Sequence, residues 1–308
     1  KKIMRLWKQF RGSYFLYSFL HDPVAMSSFV VLTFLTLAAF GAPLIAPHDP
    51  YDTTTINIMD SELPPVWMDG GDKSFTLGTD SQGRDMLSTM LYGMRISIII
   101  GVGAVFMQAV IGIVLGLVAG YRGGKIDNFL MRMADVQLSF STLMVAIFLS
   151  AIFQAVFGVA AFESMAVPFL VLVIGIAEWP QYARTVRASV LAEKKKEYVE
   201  AARVMGLPAN RIMWRHILPN TMSPILVLST VQVAHAIMSE AALSFLGLGM
   251  PITKPSLGSL INSGFDFIFS GSWWITMFPG FLLVLLILVI NLLGDWVQDV
   301  LNPKLYKG

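Results

Sequence analysis

The chain has 308 residues, 55% of them hydrophobic and 14% charged, with a mean hydropathy of +0.66. A soluble domain carries about 25% charged residues, so this composition excludes one and points to a chain that lies largely within a bilayer. The net charge of +2 gives no reason to expect a nucleic-acid partner, and the absence of cysteine removes disulfides and thiolate chemistry.

Residues 1–25 read as an interfacial arm in which Lys1, Lys2, Arg5, Lys8 and Arg11 alternate with Trp7, Phe10, Tyr14, Phe15, Tyr17 and Phe19. This mixture suits lipid headgroups. The apolar run after it is too long for a signal-peptide core of about 7–15 residues. A domain of six membrane-crossing helices is expected over 26–300, followed by a short tail, 301–308.

Five windows contain no Asp, Glu, Lys or Arg: 26–46, 96–120, 136–162, 221–239 and 272–293. A sixth run, from Ser164 to about Ala183, carries only Glu178. Each is long enough to cross the hydrocarbon core, which takes roughly 20 helical residues. Six crossings put both termini on one side. The arm, residues 121–132, residues 181–219 and the tail hold 18 of the 22 Lys+Arg, which makes their side cytoplasmic. The loop at 47–95, with eight acidic residues from Asp49 to Asp85, then lies outside.

Pro43, Pro47 and Pro50 close the first crossing, and the Asp/Thr/Pro-rich stretch to Asp72 reads as loop. A helix start follows in "LGTDSQGRDMLSTMLYGMR" at 77–95, with Thr79, Asp80 or Ser81 as N-cap. Met86, Leu87, Met90, Leu91 and Met94 line one face of it, expected to lie along the outer membrane surface. Gly112, Gly116 and Gly120 recur every fourth residue, a small-residue stripe that lets a neighbouring helix approach closely. "GYRGGKI" at 120–126 is no phosphate loop, because position 119 is Ala and Ile126 follows the lysine.

Between the fourth and fifth crossings the chain inserts "EYVEAARVMGLPANRIMWRHILPN", 197–220. Tyr198–Met205 reads as helix, ended by Gly206 as a left-handed C′ residue. Pro208 opens a second helix from about Ala209 to His216, and Pro219 opens the next crossing. The insert exceeds what a reversal needs, and Ala201 and Ala202 remove side-chain bulk where another surface could approach. A docking element and a basic loop lying on anionic headgroups are both open at this point. Intramembrane charge is costly. Asp135 and Glu178 are expected to reach water or an arginine near the cytoplasmic ends. His235 sits deeper, either lining a route with Gln232 and Ser239 or buried as a hydrogen-bonded ring, and Glu240 lies near the outer end. His21, His48, His216 and His235 show no metal-ligand spacing, and no GxSxG elbow is present. Trp273, Trp274 and Trp296 mark the two interfaces of the last crossing.

"EAARVMGLPANRIMWRHILP" resembles the EAA loop of binding-protein-dependent ABC transporter permeases, with Glu200, Ala201, Ala202, Gly206, Leu218 and Pro219 in the matching positions. His216 replaces the usual isoleucine, as in the dipeptide and oligopeptide branch. "AGYRGGKID", "SFLGLGMP", "PSLG", "FPG" and "GDWVQDVLNPKL" are similar to the C-type subunit of dipeptide, oligopeptide and nickel importers, while Ser141 stands where many relatives have proline. The resemblance implies an all-α type I importer permease in a bacterial inner membrane, not itself an enzyme and binding no cofactor or metal. Its expected partners are a B-type permease, two ATPase subunits that hold ATP and Mg, and an extracytoplasmic solute-binding protein. The loop at about 190–219, Arg203 included, is then the coupling element. Peptides are the expected cargo, with nickel, glutathione or another small solute as alternatives. An ion-coupled secondary transporter is the reading outside this class, and no inverted repeat supports it.

Overall fold

The computed structural model describes residues 14–52 and 56–301; the basic positions of the arm and the tail beyond 301 lie outside them. The α-helices are α1 Tyr14–His21, α2 Pro23–Phe40, α3 Ala42–Ile45, α4 Met86–Arg122, α5 Gly124–Leu138, α6 Thr142–Phe157, α7 Val159–Glu193, α8 Glu197–Val204, α9 Ala209–Ile212, α10 Met222–Phe245, α11 Leu257–Phe265 and α12 Trp274–Leu301. Among the described residues the only β-type pairing is an isolated bridge between Thr79 and Asp85.

Among the described residues five helices are long and apolar enough to span a bilayer: α2, α4, α7, the run Ala209–Phe245 and α12. A sixth span arises if α5 and α6 count as one, although they meet at 87°. The expected third crossing over 136–162 is thus interrupted. Ser139 back-bonds through Oγ to the Asp135 carbonyl at 2.8 Å, and Ser141 is extended at φ −64°, ψ 137°. The chain therefore turns here with no proline. Gly158, at φ +83°, ends the 16-residue α6.

The tightest packing joins α4 to α7 along the glycine stripe. A Cβ on Gly112 would lie 2.3 Å from the Tyr182 Cβ, one on Gly116 2.5 Å from the Ala183 carbonyl oxygen, and one on Gly120 2.8 Å from the Val190 Cβ. Leu117, Tyr182, Val186 and Val190 are fully buried along this seam. One apolar cluster runs from Ile100 through Leu170, Val186 and Ile225 to Met250. A second joins α2, α10 and α12 through Leu35, Ile237, Leu286 and Val289.

The helix start near residue 80 differs from expectation. Asp85 is the N-cap, accepting from the Ser88 N–H at 2.8 Å, and α4 then runs 37 residues without a break. Met86, Met90 and Met94 are buried as its first turns and do not lie along a membrane surface. Asp80 is engaged elsewhere: it accepts from the Arg84 backbone N–H at 2.9 Å and pairs with its guanidinium at 2.6 Å. Arg84 also donates to the Ile252 carbonyl at 2.8 Å, and Trp274 donates through Nε1 to the Thr79 carbonyl at 3.2 Å. The acidic loop is thereby tied to the turn before α11 and to the start of α12.

Candidate functional site

The insert forms a bent elbow at the end of the bundle opposite the acidic loop. Glu197 and Glu200 stand in the first turn of α8 and Arg203 in its last, a distribution that complements the helix dipole. Past Met205 the Gly206 N–H reaches the Arg203 carbonyl at 2.9 Å and the Leu207 N–H reaches the Ala202 carbonyl at 3.2 Å. With Gly206 at φ +73° this is a Schellman stop. Pro208 caps α9. The second helix is shorter than expected, because Met213–Ile217 widens into a π-turn and Leu218–Thr221 tightens into a 3-10 turn. Pro219 has no N–H to donate and its ring crowds the preceding turn, so regular α geometry does not continue through it.

The elbow is two-faced. Val199, Ala202, Ile212, Met213 and Ile217 are buried and belong to the same cluster as the spans. Glu200, Ala201, Arg203, Gly206 and Pro219 are exposed, Leu218 is half-buried, and Val204 and Met205 stand out at 89% and 70% exposure. The two adjacent alanines thus have different roles: Ala201 leaves room on the outer face, whereas Ala202 packs inward.

Polar ties connect this element to three spans. Tyr198 donates to Glu193 Oε2 at 2.6 Å and accepts from Asn220 at 3.2 Å, bridging the end of α7 to the turn before α10. Burial and the Glu193 carboxylate push the Tyr198 phenol up to about 12. Arg203 lies over the Tyr121 ring at 5.5 Å, and Lys194 donates to the Gly120 carbonyl at 2.8 Å. Arg187 holds Asp127 with two bonds, 2.5 and 2.7 Å, joining α5 to α7.

The remaining candidates separate. Asp135 pairs with Arg184 at an exposed position. Glu178 does not reach water or an arginine: it is 1% exposed and is contacted by Gln108, Gln232 and His235. Gln232 and Ser239 are buried, at 2% and 7%, while the His235 side chain is half exposed. Glu240 is fully buried and accepts from Ser97 and Ser244 at 2.9 and 2.6 Å. The contact of Glu178 with three polar side chains is the feature sequence reasoning missed. Gln108 was its only further signal, a lone amide inside an apolar window.

Comparison with known proteins agrees with this architecture. Residues 112–307 match the family described as binding-protein-dependent transport system inner membrane component, and residues 6–65 match the N-terminal TM domain of oligopeptide transport permease C. The chain is 36% identical to the di/tripeptide transport system permease protein of Pseudomonas aeruginosa, over 94% of this chain and 90% of that one. It is 33% identical to the oligopeptide transport system permease protein of Bacillus subtilis, over 100% and 92%. Among solved structures, an inward-facing MetNI methionine ABC transporter aligns with a TM-score of 0.56 at 18% identity, covering 70% of this chain and 98% of that one, a likeness of fold. The chain belongs to the family of binding-protein-dependent transport system inner membrane components.

Proposed function

We propose that this chain is one membrane half of an ATP-driven importer for di- and oligopeptides, and that the elbow from Glu197 to Pro219 is where separate ATPase subunits act on it. The observation that carries the coupling role is the two-faced elbow: its outer side is exposed, and its inner side is continuous with the core of α4, α7 and α10. Glu200, Ala201, Arg203 and Gly206 form the gripped surface. Ala202, Leu218 and Pro219 set the angle at which a push on α8 enters α10. Pressure on such an element displaces packed helices as units, because close-packed interiors shift between discrete arrangements.

The remaining parts follow from the family. A homologous B-type permease supplies the other half of the pathway, and an extracytoplasmic binding protein delivers solute at the acidic end. The positive-inside distribution supports a cytoplasmic position for the elbow and the termini. ATP and Mg are held by the ATPases, since this chain has no Walker A loop. Peptide as cargo is supported by the names of its relatives. The test is uptake of a labelled dipeptide by the assembly in liposomes. Uptake that needs ATP and binding protein is expected. Uptake that survives ATP depletion and collapses with an uncoupler would make the chain an ion-coupled transporter instead.

A further inference from the structure

Near the middle of the spans, side chains from three helices converge: Gln108 of α4, Glu178 of α7, and Gln232 and His235 of α10. Glu178 Oε2 accepts from the Gln108 and Gln232 amides, each at 3.3 Å, and Gln232 also donates to Gln108 Oε1 at 3.3 Å. Glu178 Oε1 is buried with no hydrogen bond, and His235 Nδ1 faces it at 3.7 Å. The three buried members are at most 2% exposed, whereas the imidazole is half open on the surface of the chain.

A polar ring backed by a buried carboxylate is a poor surface to turn toward acyl chains. Ionisable groups in spans face the bundle interior or a water-filled cavity. Resting on the importer reading, we propose that His235 is the group through which this chain meets the transported solute at mid-membrane, and that the solute group it takes is a carbonyl or carboxylate oxygen. Glu178 is its positioning residue. With Nδ1 directed at the carboxylate, Nε2 is the atom left for the pathway, where its N–H meets the solute oxygen. Such a contact orients a peptide without trapping it, as passage requires. The two glutamines hold the carboxylate in place from behind.

The chain has no cysteine, so His235→Cys introduces its sole thiol. In the full assembly in liposomes, a membrane-impermeant methanethiosulfonate is applied and labelling of this chain is read by mass. Labelling about tenfold faster than at Phe106→Cys, a 70% exposed apolar position of α4, is expected, and transported dialanine should slow it. In parallel, His235→Leu is expected to cut ATP-driven dialanine uptake about tenfold, the worth of one good hydrogen bond. His235→Gln, which still donates, should keep more than half. Glu178→Gln should lose about as much as His235→Leu, with no further loss in the double variant, a non-additivity that two independent structural lesions would not give. Absence of labelling in every nucleotide state, or wild-type uptake by His235→Leu, would overturn the proposal. Wild-type dialanine uptake, measured first, tests the importer reading separately. If it is absent, that reading fails while the labelling contrast still decides whether position 235 lines a passage.

Discussion

Replacing Gly206 by valine tests whether the elbow's geometry carries transport. The residue sits at φ +73°, and no heavy atom beyond its chain neighbours lies within 4 Å of where a Cβ would be built. The cost is therefore conformational and not one of crowding. An L-residue in the left-handed region loses about 1–2 kcal/mol, with a β-branched side chain at the upper end. This is enough to weaken the closure from Gly206 to Arg203 and from Leu207 to Ala202 by a factor of about 5–30. The bundle should survive, since Val199, Ala202, Ile212 and Ile217 remain buried beneath the turn. The assay compares binding-protein-stimulated ATPase with dipeptide uptake in the same liposomes, for Gly206→Asn, Gly206→Ala and Gly206→Val. Asparagine tolerates the left-handed region, so uptake per ATP should fall in that order, with Asn near wild type and membrane insertion unchanged in all three. Wild-type uptake by the valine variant, or an asparagine variant as impaired as valine, would refute the reasoning.

Gly112→Ala should lower the melting temperature of the detergent-solubilised assembly, because the new methyl meets the Tyr182 Cβ at 2.3 Å and the Trp179 carbonyl oxygen at 2.8 Å. Overpacking of this kind costs about 1–3 kcal/mol. Arg84→Ala should cost about 3–5 kcal/mol by leaving the buried Asp80 carboxylate unpaired, read as faster proteolysis of the 56–85 loop, while Asp80→Asn with Arg84→Met should recover part of the loss. At high pH the raised Tyr198 phenol keeps its proton in the folded chain up to about 12, above its ordinary value of 10.0. Between these values the unfolded state binds fewer protons, so stability falls as pH rises. Tyr198→Phe should flatten that part of the stability profile.

Much of the fold was legible because the bilayer imposes long uncharged windows, and α2, α4, α7, α10 and α12 lie where those windows predict them. The glycine stripe and the stop at Gly206 were equally readable, since each rests on a property of glycine itself. What failed depended on partners distant in sequence. Asp80 is as good an N-cap as Asp85, but it is taken by Arg84, which also bonds to the Ile252 carbonyl. The turn between α5 and α6 follows from local serine geometry that hydropathy does not register. Ala201 and Ala202 look alike in sequence, and only the packing of α8 against the spans separates an open position from a buried one. The burial of Glu178 depends on how α4, α7 and α10 are rotated against one another, which no single window records.

The claim that the elbow is a lever driven by a separate motor is tested most directly by site-specific crosslinking at its two alanines. In the native assembly, Ala201→Cys carrying a short thiol crosslinker should capture an ATPase subunit with a yield that changes between nucleotide-free and ATP-bound states, whereas Ala202→Cys, at 1% exposure, should not. An Ala201 position that captures no ATPase in any state, in membranes where the complex transports, would contradict the account.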